Sequence, residues 1–207
     1  AELKGSGIEL FKLAVPGTPA IEDWIYDQGY KNAGIDGSMF SENEAARLRR
    51  FFESREIRLV SDFHPYSEVW RDRAPAPDGK IIVFPDSKSG ESVNSKLTRL
   101  REIMSSMRSD SMTIASLDDI AWLYNFRGVD VKFNPVAICF AFVDMETAHI
   151  FIGNHKLNQE VILHFNKSGI QIHEYEDYYN FISKLKNRNI LFDKSRNNHE
   201  VHQSLDK

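Results

Sequence analysis

The segment Val136-Ala-Ile-Cys-Phe-Ala-Phe-Val143 is apolar at every position and mixes β-branched with aromatic residues. A half-buried strand alternates polar and apolar side chains, so an unbroken run of this kind reads as a central strand covered on both faces. It is the longest apolar run in the chain and falls far short of the ~18 residues that a membrane-spanning helix needs. A sheet covered on both faces needs helices beside it, and the flanking sequence supplies them. Asp144-Met-Glu-Thr147 turns the run back into Ala148–Ile152 as a hairpin. Ser95–Arg108 carries Leu97, Leu100, Ile103, Met104 and Met107 at helical spacing, a stripe that belongs in a core. Met112–Ala115 reads as a strand, and Ser116-Leu-Asp-Asp119 opens a further helix with an acidic first turn that suits the helix dipole. Through Phe126 that helix is apolar on almost every side, which predicts burial of Trp122 and a stop at Gly128 in the left-handed conformation. Val161–Phe165 and Ile170–Tyr175 read as strands on either side of a turn near Gly169, followed by a helix over Tyr178–Leu185 and a strand over Ile190–Asp193.

Upstream, Ile8–Val15 reads as a strand broken by Pro16-Gly17, and Thr18-Pro19 offers an N-cap and a first-turn proline. A short helix with Ile21, Trp24, Ile25 and Gln28 follows and stops at Gly29. Ala33–Phe40 is a short strand, and Ser41-Glu-Asn-Glu44 matches the S-x-x-E capping box of a helix that runs to about Ser54. Its Ala45, Leu48, Phe51 and Phe52 form one apolar stripe, and Arg47, Arg49 and Arg50 fall on a face expected to be solvated. Ile57–Val60 closes a strand–helix–strand unit. Two prolines and a glycine then interrupt all periodicity between Trp70 and Gly79, which reads as a linker before the strand Ile81–Phe84. The alternation of strands and helices predicts an α/β fold with a mixed sheet.

Composition narrows the function. With 207 residues, 42% hydrophobic and 27% charged, the chain is a folded protein large enough for one large domain or two small ones. Its net charge of −4 offers no broad positive field, so neither nucleic acid nor anionic membrane is expected as a partner. The single cysteine, Cys139, excludes an internal disulfide and a cysteine-rich zinc site, lies where a thiol is inert packing, and fits a reducing, cytoplasmic setting. Residues 1–7 lack the basic start and apolar stretch of a signal peptide, and the absence of an initiator Met suggests a natural start further upstream.

Most enzyme motifs are missing. No G-x-G-x-x-G, Walker loop or G-x-S-x-G elbow occurs. His199-Glu-Val-His202 is H-E-x-H, with its histidines three apart rather than the four that place both ligands of H-E-x-x-H on one helix face, so no metal is assigned to it. His164 and His173, read on neighbouring strands, lack a carboxylate constellation and are assigned to packing or surface roles. The sequon Asn166-Lys-Ser168 is taken as chance. The densest polar region follows the apolar helix, where Asn125, Arg127, Asp130 and Asn134 enter one irregular loop. Arg127 and Asp130 can pair with each other or with the last helix carbonyls and fix that loop. Alternatively Arg127, supported by Asp130 and Asn134, faces a ligand or a partner domain through its fork of donors.

The segment LDDIAWLYNFRGVDVKFNP, residues 117–135, resembles the middle domain of the three-domain Xaa-Pro aminopeptidases, the aminopeptidase P family, in its Leu-Asp-Asp-Ile-Ala-Trp start and its Arg-Gly-x-Asp-x-x-x-Asn-Pro end. Trp70-Arg-Asp-Arg73 is similar to that family's junction between its first two domains, with Ala74 where proline is usual. Ile8–Leu13, Pro16-Gly-Thr-Pro19, Trp24 and Gly34-Ile-Asp-Gly37 resemble the latter part of the first domain, so the likeness covers nearly the whole chain. It implies a creatinase N-terminal-like, ribonuclease H-like fold with a mixed sheet flanked by helices. Residues 1–69 would be the latter part of a first domain, 70–79 a linker and 80–207 a nearly complete second domain.

It further implies a parent that removes the N-terminal residue preceding proline, with a dinuclear manganese or zinc site in a C-terminal domain outside this sequence. No catalytic or metal-binding residue is then assigned to this chain. Its implied role is to shape the substrate cleft, hold the catalytic domain and support a homodimer, and alone it is expected to be inactive. The rival readings are a stand-alone binding module or pseudo-enzyme of the same fold, and a prolidase-like or creatinase-like enzyme, which carries one N-terminal domain instead of two.

Overall fold

The computed structural model describes residues 3–205, the side chain of Ser67 excepted. Its first elements are α1 (Ile21–Asp27), β1 (Asn32–Gly34), α2 (Glu42–Glu53), β2 (Arg58–Val60) and α3 (Tyr66–Val69). The strand–helix–strand reading holds: β1 and β2 pair in parallel with Ala33 opposite Leu59, and α2 crosses over between them. Ser41 caps α2 in a full capping box with Glu44. Ala33, Ile35, Ala45, Leu48, Phe52 and Ile57 form a small core of their own.

The expected strand over Ile8–Val15 is absent. That segment forms no ladder, and Ile8, Leu10, Phe11, Leu13 and Val15 are exposed. Alternating apolar residues make a strand only where a neighbouring strand takes their backbone groups and a core takes their side chains, and this segment has neither. α1 begins at Ile21 after Ala20, two residues beyond the proposed cap at Thr18, and ends before Gly29 at φ +73° as expected. The strand read over Ala33–Phe40 shrinks to Asn32–Gly34 plus a bridge from Asp36 to Asp62.

Residues 73–81 carry no regular secondary structure, and the remaining elements follow. They are β3 (Ile82–Val83), α4 (Asp86–Ser89), α5 (Val93–Ser106), β4 (Ser111–Ile114), α6 (Leu117–Leu123), β5 (Phe126–Arg127), β6 (Phe140–Asp144), β7 (Ala148–Phe151), α7 (Gln159–Lys167), β8 (Ile170–His173), α8 (Asp177–Ile182), β9 (Ile190–Leu191) and α9 (His199–Leu205). Five strands make a mixed sheet in the order β8-β7-β6-β4-β9, with β6 at its centre. β6 runs antiparallel to β4 and β7, and the outer pairs β4–β9 and β7–β8 are parallel. The expectation drawn from the apolar run is met in its second half: Phe140–Val143 lies in the central strand, whereas Val136–Cys139, though Val136, Ala137 and Cys139 are buried, carries no strand. Ala141 and Val143 join the core that also holds Leu97 and Met104 of α5, Ile120 of α6 and Phe165 of α7. Phe140 and Phe142 join Tyr178 and Ile182 of α8 and Val201 of α9. Helices therefore flank the sheet on both sides.

Three element readings change. Val161–Phe165 lies in α7, not in a strand, because Asn158 caps the helix by accepting from the Val161 amide at 2.9 Å and Val161 and Phe165, four apart, are both buried. His164 and His173 consequently sit on different elements and do not meet. α6 stops at Leu123, with Asn125 at φ +51° where Gly128 was expected to take the left-handed position, and Trp122 is 45% exposed. In α5, Leu97 and Met104 are buried but Ile103 and Met107, assigned to the same stripe, face out. The arginines of α2 are not simply solvated: Arg47 pairs with Glu22, and Arg49 Nη2 donates to His199 Nε2 at 3.0 Å.

On the α8 side of the sheet, His149 of β7 shares a 3.0 Å hydrogen bond with His173 of β8, beside Phe151 and Phe181. Burial first, and the neighbouring His173 second, push the His149 pKa from 6.5 down to about 4, while Asp144 opposes the shift. The folded chain thus resists a proton that the unfolded chain accepts. Stability from this group is complete above about pH 6.5 and is lost as pH falls toward 4, by on the order of 3 kcal/mol. Urea melts at pH 7 and pH 4.5 should show a smaller difference in stability for His149→Gln than for the wild type. An equal difference in both would refute the assignment.

Candidate functional site

The loop from Gly128 to Pro135 leaves β5 and returns to the buried segment that leads into β6. Its root is closed by backbone bonds: the Gly128 amide to Pro135 O at 3.2 Å and the Asp130 amide to Val136 O at 3.1 Å. Gly128 is required there by proximity, since a Cβ would sit 2.7 Å from Val136 O and 2.8 Å from Ala137 Cβ. At the tip the Asn134 amide bonds Val131 O at 3.1 Å, and Asn134 O accepts from the Val136 amide at 2.8 Å.

The three residues singled out from sequence have separate tasks. Arg127 Nη1 donates to Ala121 O at 3.0 Å and to Phe126 O at 2.7 Å, and its guanidinium lies 4.1 Å from the centre of the Phe84 ring. It takes one end carbonyl of α6, that of Ala121, as the first of the two sequence readings allowed, and a second carbonyl from its own strand. Asp130 binds Lys156 instead of Arg127. Both side chains are buried, and Asp130 Oδ2 also accepts from the Ile138 amide at 2.7 Å. Its Oδ1 is buried and accepts no hydrogen bond from the described residues. Asn134 is held through its backbone in the exposed turn. Arg127 at the end of β5 and Asp130 and Asn134 in the loop that follows thus lie along one stretch of chain without converging on a common point.

Two partners were missed from sequence. Lys156 sits in a short 3-10 turn, Asn154–Lys156, far from Asp130 in the chain, and no local pattern announces it. Lys96 does leave a trace, because it lies on the helical stripe with Val93, Leu97, Leu100 and Met104. It is buried, and its Nζ donates to Trp122 O at 2.7 Å and to Asn125 Oδ1 at 2.6 Å while lying 4.3 Å from the Trp122 ring centre. Burial holds its pKa below the usual lysine value. Asn125 in turn donates to Asp86 Oδ1 at 2.8 Å and Glu91 O at 2.9 Å, so a polar knot closes the end of α6.

His199, His202, His164 and Cys139, singled out from sequence, have contacts within the fold. His199 Nε2 accepts from Arg49, which leaves its Nδ1–H to donate to buried Glu42 at 2.6 Å; His202 Nε2 lies 3.4 Å from the same carboxylate. The H-E-x-H segment therefore locks α9 onto α2. His164 Nε2 donates to Tyr124 O at 2.8 Å. Cys139 is buried, and burial pushes its thiol pKa up, away from reactivity. Among the described residues no group of three or more His, Cys, Asp or Glu is placed to hold a metal ion, so these side chains do not fit a dinuclear centre. No helix among them is long and apolar enough to cross a membrane.

The sequence model of the Creatinase/Prolidase N-terminal domain matches residues 72–207. A probable Xaa-Pro aminopeptidase P of Fusarium vanettenii is 33% identical over 183 residues, which cover 85% of this chain and 29% of that protein. Aminopeptidase P1 of Lotus japonicus is 36% identical over 160 residues, covering 76% of this chain and 24% of that protein. Among solved structures, the X-prolyl aminopeptidase of Caenorhabditis elegans, described as a cytosolic enzyme with a di-nuclear active site, superposes with a TM-score of 0.85 at 26% identity. The match covers 93% of this chain and 33% of that one. The chain spans a third or less of the length of these relatives. With its mixed sheet flanked by helices and its match over residues 72–207, the chain belongs to the Creatinase/Prolidase N-terminal domain family.

Proposed function

We propose that this chain is the non-catalytic N-terminal region of a metal-dependent Xaa-Pro aminopeptidase, which releases the N-terminal residue preceding proline. In this reading residues 1–69 are the latter part of a first domain, 70–79 a linker, and 80–207 the second domain. The region shapes the substrate cleft and supports a cytoplasmic homodimer, and the manganese or zinc pair belongs to the catalytic portion of the parent. Arg127, Asp130 and Asn134 build the loop that this region turns toward the cleft or a domain interface. The observation that carries the reading is the superposition of 93% of the chain on one third of a di-nuclear X-prolyl aminopeptidase. The engagement of Glu42, Asp130, His149, His173 and His199 in internal pairs supports an architectural role for this part of the enzyme.

Purified chain incubated with an Xaa-Pro-containing peptide and manganese or zinc is expected to release no N-terminal residue. Metal-dependent release would overturn the division of labour.

A further inference from the structure

Phe133 is 96% exposed, the highest value for any large apolar side chain among the described residues, and it sits at φ +64°. A bulky residue in the left-handed region is strained, and such strain persists only where the surroundings impose it. The surroundings here are rigid. Below Phe133 lie the turn bond from the Asn134 amide to Val131 O, the two backbone bonds that close the loop root, and the buried Asp130–Lys156 pair. Val129 and Val131 are exposed beside it, and Lys132 Nζ lies 5.0 Å from its ring centre. A fixed stem thus presents one aromatic ring, with apolar shoulders and a cation over one face, to the outside.

We propose that Phe133 is a docking knob that inserts into an apolar socket with an acidic rim on the catalytic portion of the same parent chain. The proposal rests on the function assigned above. The matched enzyme is three times as long as this chain, so a large body of protein remains to be met, and the strained knob lies in the segment matched by the family. A second copy of this chain is a poorer occupant, because a lone protruding ring on a convex turn is not self-complementary about a two-fold axis. An exposed aromatic on a preorganised loop also loses little conformational entropy on docking, as interface anchors do.

The test compares Phe133→Asn in the 207-residue chain and in the full-length protein, by thermal unfolding and by cleavage of an Xaa-Pro peptide. Asn tolerates the left-handed backbone, so in the 207-residue chain the Tm should rise by about 2–4 °C. In the full-length protein the socket empties and the Tm should fall, while Phe133→Tyr, which keeps the ring, stays at the wild-type value. An equal rise in both proteins would overturn the docking. Opposite shifts in a full-length protein that cleaves no Xaa-Pro peptide would uphold the docking and overturn the assigned activity. Active full-length protein with a raised Tm would do the reverse.

Discussion

Asp130→Ala is expected to destabilise the chain by about 3–5 kcal/mol in denaturant melts, because it strands the buried Lys156 ammonium without its counter-ion. The same change removes the acceptor of the Ile138 amide at the entry to the central strand, so a backbone donor loses its partner as well as the ion pair being broken. The sharper expectation concerns the double variant. Asp130→Leu combined with Lys156→Met removes both charges at once, and its loss should be well below the sum of the two single losses, since neither partner is left buried and charged. Additive losses would show that the two side chains act independently and that the loop is not braced by their pairing.

Phe126→Ala is expected to cost about 3–5 kcal/mol, and Trp122→Ala, four residues earlier, about 1 kcal/mol or less. Phe126 is fully buried and stacks edge-on with Phe165, whereas Trp122 is nearly half exposed and rests against Lys96 and Arg99. A larger loss at Trp122 than at Phe126 in the same melts would invert the packing described for this helix end.

That contrast marks where the sequence was legible. The run Val136–Val143 points to the centre of the sheet, because its β-branched and aromatic residues suit a strand covered on both faces, and its second half, Phe140–Val143, lies in the central strand. The Ser41–Glu44 box, the α2 stripe and the hairpin turn at Asp144–Thr147 are local chemistry and were read correctly. Trp122 was misplaced because an all-round apolar pattern carries no direction: the sequence could not show that Lys96 and Arg99 would supply a cationic cover that lets a tryptophan stay at the surface. Val161–Phe165 was misread because a short apolar run looks alike as strand or helix, and the deciding signal was the Asn158 cap. The Ile8–Val15 pattern is that of a strand, but no strand among the described residues pairs with it, and pairing is never local.

In the candidate site, the loop and its residues Arg127, Asp130 and Asn134 were legible from their crowding after an apolar helix. The partner of Asp130 was not, since Lys156 is brought to it only by the tertiary fold. The strain at Phe133 was equally hidden, because a positive φ at a phenylalanine contradicts every local preference. The H-E-x-H segment was assigned no metal on its spacing. Its actual task, closing on Glu42 across the molecule, required α9 and α2 to be seen together.

The most direct measurement is a side-by-side assay of the 207-residue chain and the protein translated from the complete reading frame, with bound metal and Xaa-Pro peptide cleavage determined for each. The account predicts a dinuclear metal complement and N-terminal residue release in the complete protein, and neither in the 207-residue chain. Cleavage by the 207-residue chain, or a complete protein that holds no metal and cleaves nothing, would contradict it.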